Sequence, residues 1–89
     1  MLVLPSEIMH EQARACLRML VQGLAAQREP VVQVNAGAVR DFDSSALAVL
    51  LEFRRECLAQ GKTLAVHGMS GRLADLAVLY GVAELLPAA

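Results

Sequence analysis

Val31-Val32-Gln33-Val34-Asn35-Ala36-Gly37-Ala38-Val39-Arg40-Asp41-Phe42-Asp43-Ser44-Ser45-Ala46-Leu47 contains the change of period on which the fold turns. Val31 to Val34 is rich in β-branched residues and too short for a helix, so it reads as a buried strand. Asn35-Ala36-Gly37-Ala38 breaks the regularity. Beyond it, Leu47, Leu50, Leu51 and Leu58 recur on one side of a helix that starts at Asp43 or Ser44, with Ala46, Phe53 and Cys57 beside them. A loop from strand to helix is exposed yet held by rigid elements on both sides, so binding or regulation is expected there. Val39 to Leu47 places two acids and two adjacent hydroxyls in that loop.

On the N-terminal side, Leu2-Val3-Leu4 is a short β-like run closed by Pro5. From about Ile8 to Arg28 the pattern is helical, with Ala13, Cys16, Leu17, Leu20, Val21 and Leu24 at three- and four-residue spacing, and Pro30 ends it. On the C-terminal side, Glu52, Arg55 and Glu56 face water and Gly61 closes the helix in a left-handed turn. Thr63-Leu64-Ala65-Val66-His67 is the next strand. Ser70 caps a third helix that buries Leu73, Leu76, Ala77 and Tyr80 and stops at Gly81. Val82 to Leu86 is an apolar tail expected to pack back on the domain. The order β-α-β-α-β-α predicts right-handed crossovers and a mostly parallel sheet flanked by helices, in one α/β domain over residues 1–89.

Composition narrows the function classes. Eighty-nine residues are near the lower end of what one core supports. Hydrophobic residues make up 56% of them and mean hydropathy is +0.47, so some apolar surface is expected to await a partner. Net charge is −1 with both signs interspersed, which offers no stripe for nucleic acid and no polybasic segment for lipid. The longest apolar run, Ala46 to Leu51, is far below the roughly 20 residues of a membrane span, so no direct membrane insertion is expected. The N-terminus does not resemble a secretion signal. Cys16 and Cys57 read as reduced core residues, and the expected location is cytoplasmic.

The acids invite a catalytic reading, because Asp41-Phe42-Asp43 has the form of a DxD nucleophile loop in haloacid-dehalogenase phosphotransferases. That chemistry needs a metal, a distant lysine and further acids. Here Lys62 is the only lysine, and Glu52, Glu56 and Asp75 fall at surface-facing helical positions. His10 and His67 are isolated, without ligand spacing, and a lone histidine at a strand end is expected to face solvent or be hydrogen-bonded. Gly68 and Gly71 lack a phosphate-loop pattern. The sequence therefore predicts no enzyme, no cofactor and no metal. Asp43 or Ser44 suits a helix cap, worth about 1 kcal/mol. A second hydroxyl following directly also suits docking or phosphorylation, where a phosphate would be favoured by the helix dipole and repelled by Asp41 and Asp43.

Val31-Val32-Gln33-Val34, Asp43-Ser44-Ser45-Ala46-Leu47, Leu64-Ala65-Val66 and Leu73-Ala74-Asp75-Leu76 together resemble the STAS domain, over nearly the whole chain. The resemblance implies a small α/β module that binds other proteins. Within it, anti-sigma-factor antagonists carry Asp-Ser-Ser-Gly-Leu, and a partner kinase phosphorylates the second serine, which corresponds to Ser45; this chain has Ala46 in place of that glycine. The MlaB-like STAS subunits of phospholipid-transport ABC systems are similarly short. They carry a hydroxyl corresponding to Ser44 and an end that resembles Leu79-Tyr80-Gly81-Val82-Ala83-Glu84-Leu85-Leu86-Pro87. Likeness to them implies a partner in the cytoplasmic ATPase subunit, a place at the inner membrane through the transporter, and an interface centred on Asp43, Ser44, Ser45 and Leu47, with the Ser70–Tyr80 helix alongside. Leu47 is expected to anchor its helix internally. STAS domains usually open with a β-hairpin, and the first strand of that hairpin is missing before Leu2-Val3-Leu4.

Overall fold

The structure, a computed structural model, describes residues 1–88. Its elements are β1 (Leu2–Val3), β2 (Glu7–Ile8), α1 (His10–Leu24), β3 (Val31–Asn35), β4 (Asp41–Phe42), α2 (Ser44–Ala59), β5 (Thr63–His67), α3 (Gly71–Leu79) and a 3-10 turn at Ala83–Leu85. The main sheet runs β1-β3-β5 and is parallel at both pairings, with Leu2 opposite Val34 and Val32 opposite Leu64. A second, two-stranded parallel ladder joins β2 to β4, with Ile8 opposite Phe42. All three strand pairings among the described residues are parallel.

Period-two alternation sorts the main strands. Val32, Val34, Leu64 and Val66 point to one face and belong to the core, together with Leu20 and Leu24 of α1 and Leu50, Phe53 and Cys57 of α2. Gln33, Asn35 and His67 take the other face, half-buried. Val31 is 39% exposed, so β3 is buried along one face, not throughout as its apolar run predicted. His67 is half-buried with its Nε2 enclosed and without a hydrogen-bond partner, unlike the solvent-facing or hydrogen-bonded ring expected of it.

The punctuation falls largely where the sequence places it. Gly61 and Gly81 hold positive φ of 73° and 71° just past α2 and α3, and Ser70 Oγ accepts the N–H of Leu73 at 3.2 Å. Leu86 is buried and Pro87 accepts the N–H of Val66 at 2.8 Å, so the apolar tail packs back and covers part of the β5 edge. Cys16 and Cys57 are free and buried, and burial pushes both thiols up.

Three expectations need correction. The first helix starts at His10 and ends at Leu24, short of Arg28. Ile8 instead pairs in β2, and beyond Leu24 the chain tightens into turns, with Ala26 N–H donating to Gly23 and Gln27 N–H to Leu24, before Pro30. Leu58 is 46% exposed, because the buried stripe of α2 runs through Leu50, Phe53 and Cys57 and the residue after Cys57 is turned away from the core. Tyr80 is 55% exposed, since it is the residue that leaves α3 and only Leu73 and Ala77 of that helix are fully covered.

Candidate functional site

Phe42 ends β4, Asp43 is the N-cap of α2, and Ser44 and Ser45 are its first two residues. The backbone of Asp43 is extended, so its side chain folds back over the open N–H groups of the helix. Asp43 Oδ1 accepts from Ser45 N–H at 2.8 Å. Its other oxygen, Oδ2, accepts from the N–H of His10 at 3.1 Å. His10 is the first residue of α1, and Met9 before it provides no side-chain cap. One carboxylate therefore caps two helices, reaching back 33 residues from Asp43 to His10.

The same corner is laced by backbone contacts. Arg40 and Asp41 both donate to the carbonyl of Ser6, next to the β2–β4 ladder. The Gln12 side chain accepts from Met9 N–H at 2.9 Å. The N–H of Ser45 is the largest influence holding the Asp43 carboxyl below the usual aspartate range. Desolvation opposes it, while the Ser45 side chain and the N–H and charge of His10 add to the lowering.

Because the folded carboxyl titrates below the unfolded one, its stabilisation is complete above a pH of about 4 and fades as pH falls through the lower folded value. Asparagine keeps the shape but sets an NH2 against an N–H donor. Asp43→Asn is thus expected to lower the urea midpoint at neutral pH and to flatten its dependence on acid. Parallel pH profiles for variant and wild type would contradict the clamp.

The expected site residues separate by exposure. Ser44 is exposed and Ser45 half-buried. Asp43 has both oxygens engaged inside the domain. Leu47 is 2% exposed and sits in the core, so it anchors α2 and is not available as a direct contact.

The structure also brings in residues that sequence spacing did not join to the loop. A groove of about 470 Å³ runs between the start of α2 and α3, lined by Phe42, Asp43 and Ser44 on one wall and Arg72, Asp75, Leu76 and Leu79 on the other. The Arg72 guanidinium carbon is 5.1 Å from the centroid of the Phe42 ring, a cation–π contact that ties the walls together. Leu79 is 76% exposed, the highest among the large apolar side chains of the described residues. The groove combines a hydroxyl, charged rims and an apolar wall, which suits recognition of a protein surface.

A family model described as "Mlab, STAS domain" matches residues 1–87. The chain belongs to the MlaB-type STAS domains. Of the stretches that carry the resemblance in sequence, Asp43-Ser44 and Asp75-Leu76 line the groove, while the two strands supply the core behind it. STAS domains are generally non-enzymatic interaction domains. No curated protein matches this STAS domain significantly. Among the described residues, no helix is long and apolar enough to cross a membrane and no three His, Cys, Asp or Glu side chains are grouped to hold a metal ion.

Proposed function

We propose that this STAS domain is a non-enzymatic subunit that docks on the cytoplasmic ATPase of an MlaB-type phospholipid ABC transporter and supports its assembly or activity. The observation that carries the reading is the exposed hydroxyl of Ser44 on the rim of an apolar groove whose other wall includes the protruding Leu79. Membership in the MlaB type directs the choice of partner. Ser44 makes the polar contact, Ser45 packs at the rim, and Asp43 and Leu47 hold both serines in place. The complex would keep the domain at the cytoplasmic face of the inner membrane.

The test is co-purification with the ATPase. Ser44→Glu adds an exposed carboxylate at a helix N-terminus, which the helix dipole tolerates, so the fold is expected to survive while binding weakens. Ser45→Glu is expected to weaken binding as well. Undiminished co-purification of both variants would defeat the interface.

A second reading follows from the retained Asp43-Ser44-Ser45-x-Leu47 pattern: an anti-sigma-factor antagonist released from its kinase when Ser45 is phosphorylated. Two features weigh against it: Ser45 is the less exposed of the two serines, and Ala46 occupies the glycine position. It requires stoichiometric phosphate on Ser45 after incubation with the kinase and ATP, and mass spectrometry showing none would remove it.

A further inference from the structure

A second groove of about 310 Å³ lies between α1 and α2. Ala13, Arg14 and Leu17 of α1 and Ala48, Val49 and Glu52 of α2 line it. Val49 is its buried floor, Leu17 and Ala13 are half-buried, and Ala48 is exposed. Ser44, Ala48 and Glu52 follow at four-residue spacing and are all exposed, so they form one ridge of α2. That ridge begins at the proposed docking hydroxyl and continues along the second groove. Ala48 contributes only a methyl group to it, which lets another helix approach closely.

The walls of the groove carry opposite charges. Arg14 rises from α1 and has no carboxylate within salt-bridge distance among the described residues. Glu52 rises from α2, and its one ionic neighbour is Arg55, an exposed pair at 3.6 Å that holds little energy. An apolar floor between one basic and one acidic wall fits an amphipathic helix by charge as well as by shape.

We propose that the docking surface extends over the Ser44–Ala48–Glu52 ridge into the α1–α2 groove and there receives an amphipathic helix of the ATPase subunit. The helix lays its apolar stripe over Leu17 and Val49, with a carboxylate facing Arg14 and a basic side chain facing Glu52. This rests on the docking reading above, and α1 thereby becomes part of the interface. The Asp43 clamp fixes the N-termini of α1 and α2 relative to each other, so both grooves are presented as one surface.

The test is the Kd of full-length variants for the purified ATPase. Ala48→Glu is expected to weaken binding at least roughly tenfold by filling the groove, and Arg14→Glu roughly threefold or more with a flatter salt dependence. Ala48→Ser keeps the size and is expected to bind as wild type. Ala48 and Arg14 are both exposed, so thermal melts should be unchanged, and Arg14→Glu decides the matter if Ala48→Glu does not fold. Wild-type affinity in Ala48→Glu and Arg14→Glu alongside weakened Ser44→Glu would overturn this surface and leave the docking reading standing. Wild-type affinity in all three would overturn both.

Discussion

Replacing Phe53 with alanine is expected to remove about 3–5 kcal/mol of stability, the largest loss from any single substitution considered for this domain. Phe53 is fully buried and is the largest such side chain, at the middle of α2 where the helix faces the core built from α1, β3 and β5. A domain of 89 residues has little redundancy in its core, and small domains have total stabilities of the order of 5–15 kcal/mol. Phe53→Ala is therefore expected to be unfolded in part without denaturant. With no tryptophan and one tyrosine, far-UV circular dichroism is the suitable probe. A loss below about 2 kcal/mol would mean that the neighbours collapse into the vacancy and that the core is not organised around this ring.

Leu79→Lys is expected to have the opposite profile, with the fold kept and docking lost. Leu79 is the last residue of α3, where a cation is favoured by the helix dipole, and Asp75 stands four residues before it as an acceptor. The variant is thus expected to melt at or slightly above the wild-type temperature. In the complex, however, the substitution places a charge where an apolar wall should meet the partner. The cost to binding is expected to be about 2 kcal/mol, roughly a thirtyfold rise in Kd. Equal affinity would show that the exposed leucine has no part in docking and would confine the interface to the Ser44 side.

How much of this was legible in sequence depended on whether the cause was local. Strand β3, the start of α2 at Ser44, the Ser70 cap and the glycine stops at Gly61 and Gly81 follow from short-range backbone chemistry, and the sequence indicates each of them. The β2–β4 ladder does not announce itself, because two-residue strands have no period. The end of α1 was misplaced because the run after Leu24 has no buried residue to mark where the helix gives way to turns. Leu58 sits beside the buried Leu50–Phe53–Cys57 stripe of α2, not on it, and Tyr80 lies just beyond the end of α3.

The site divides in the same way. Asp43 as a cap of its own helix was legible; its second bond, to His10, was not, since it needs the fold to bring α1 beside α2. The Asp-Ser-Ser motif pointed to the rim, while the opposite wall, with Arg72 stacked on Phe42, arises only once α3 packs beside β4. An arginine at the second position of α3 gives no sequence signal for that contact. Leu47, expected both in the interface core and as an internal anchor, lies in the core, and its neighbours there explain why the motif ends in an aliphatic residue.

The central claim is that the Ser44 groove is where the domain meets the ATPase. Amide hydrogen exchange on the domain, alone and saturated with the purified ATPase subunit, tests it most directly. The account predicts slowed exchange concentrated at Phe42 to Ser45 and along Arg72 to Tyr80, with the core strand β3 unchanged. Complex formation with protection elsewhere and none at these two segments would contradict it, as would the absence of any complex.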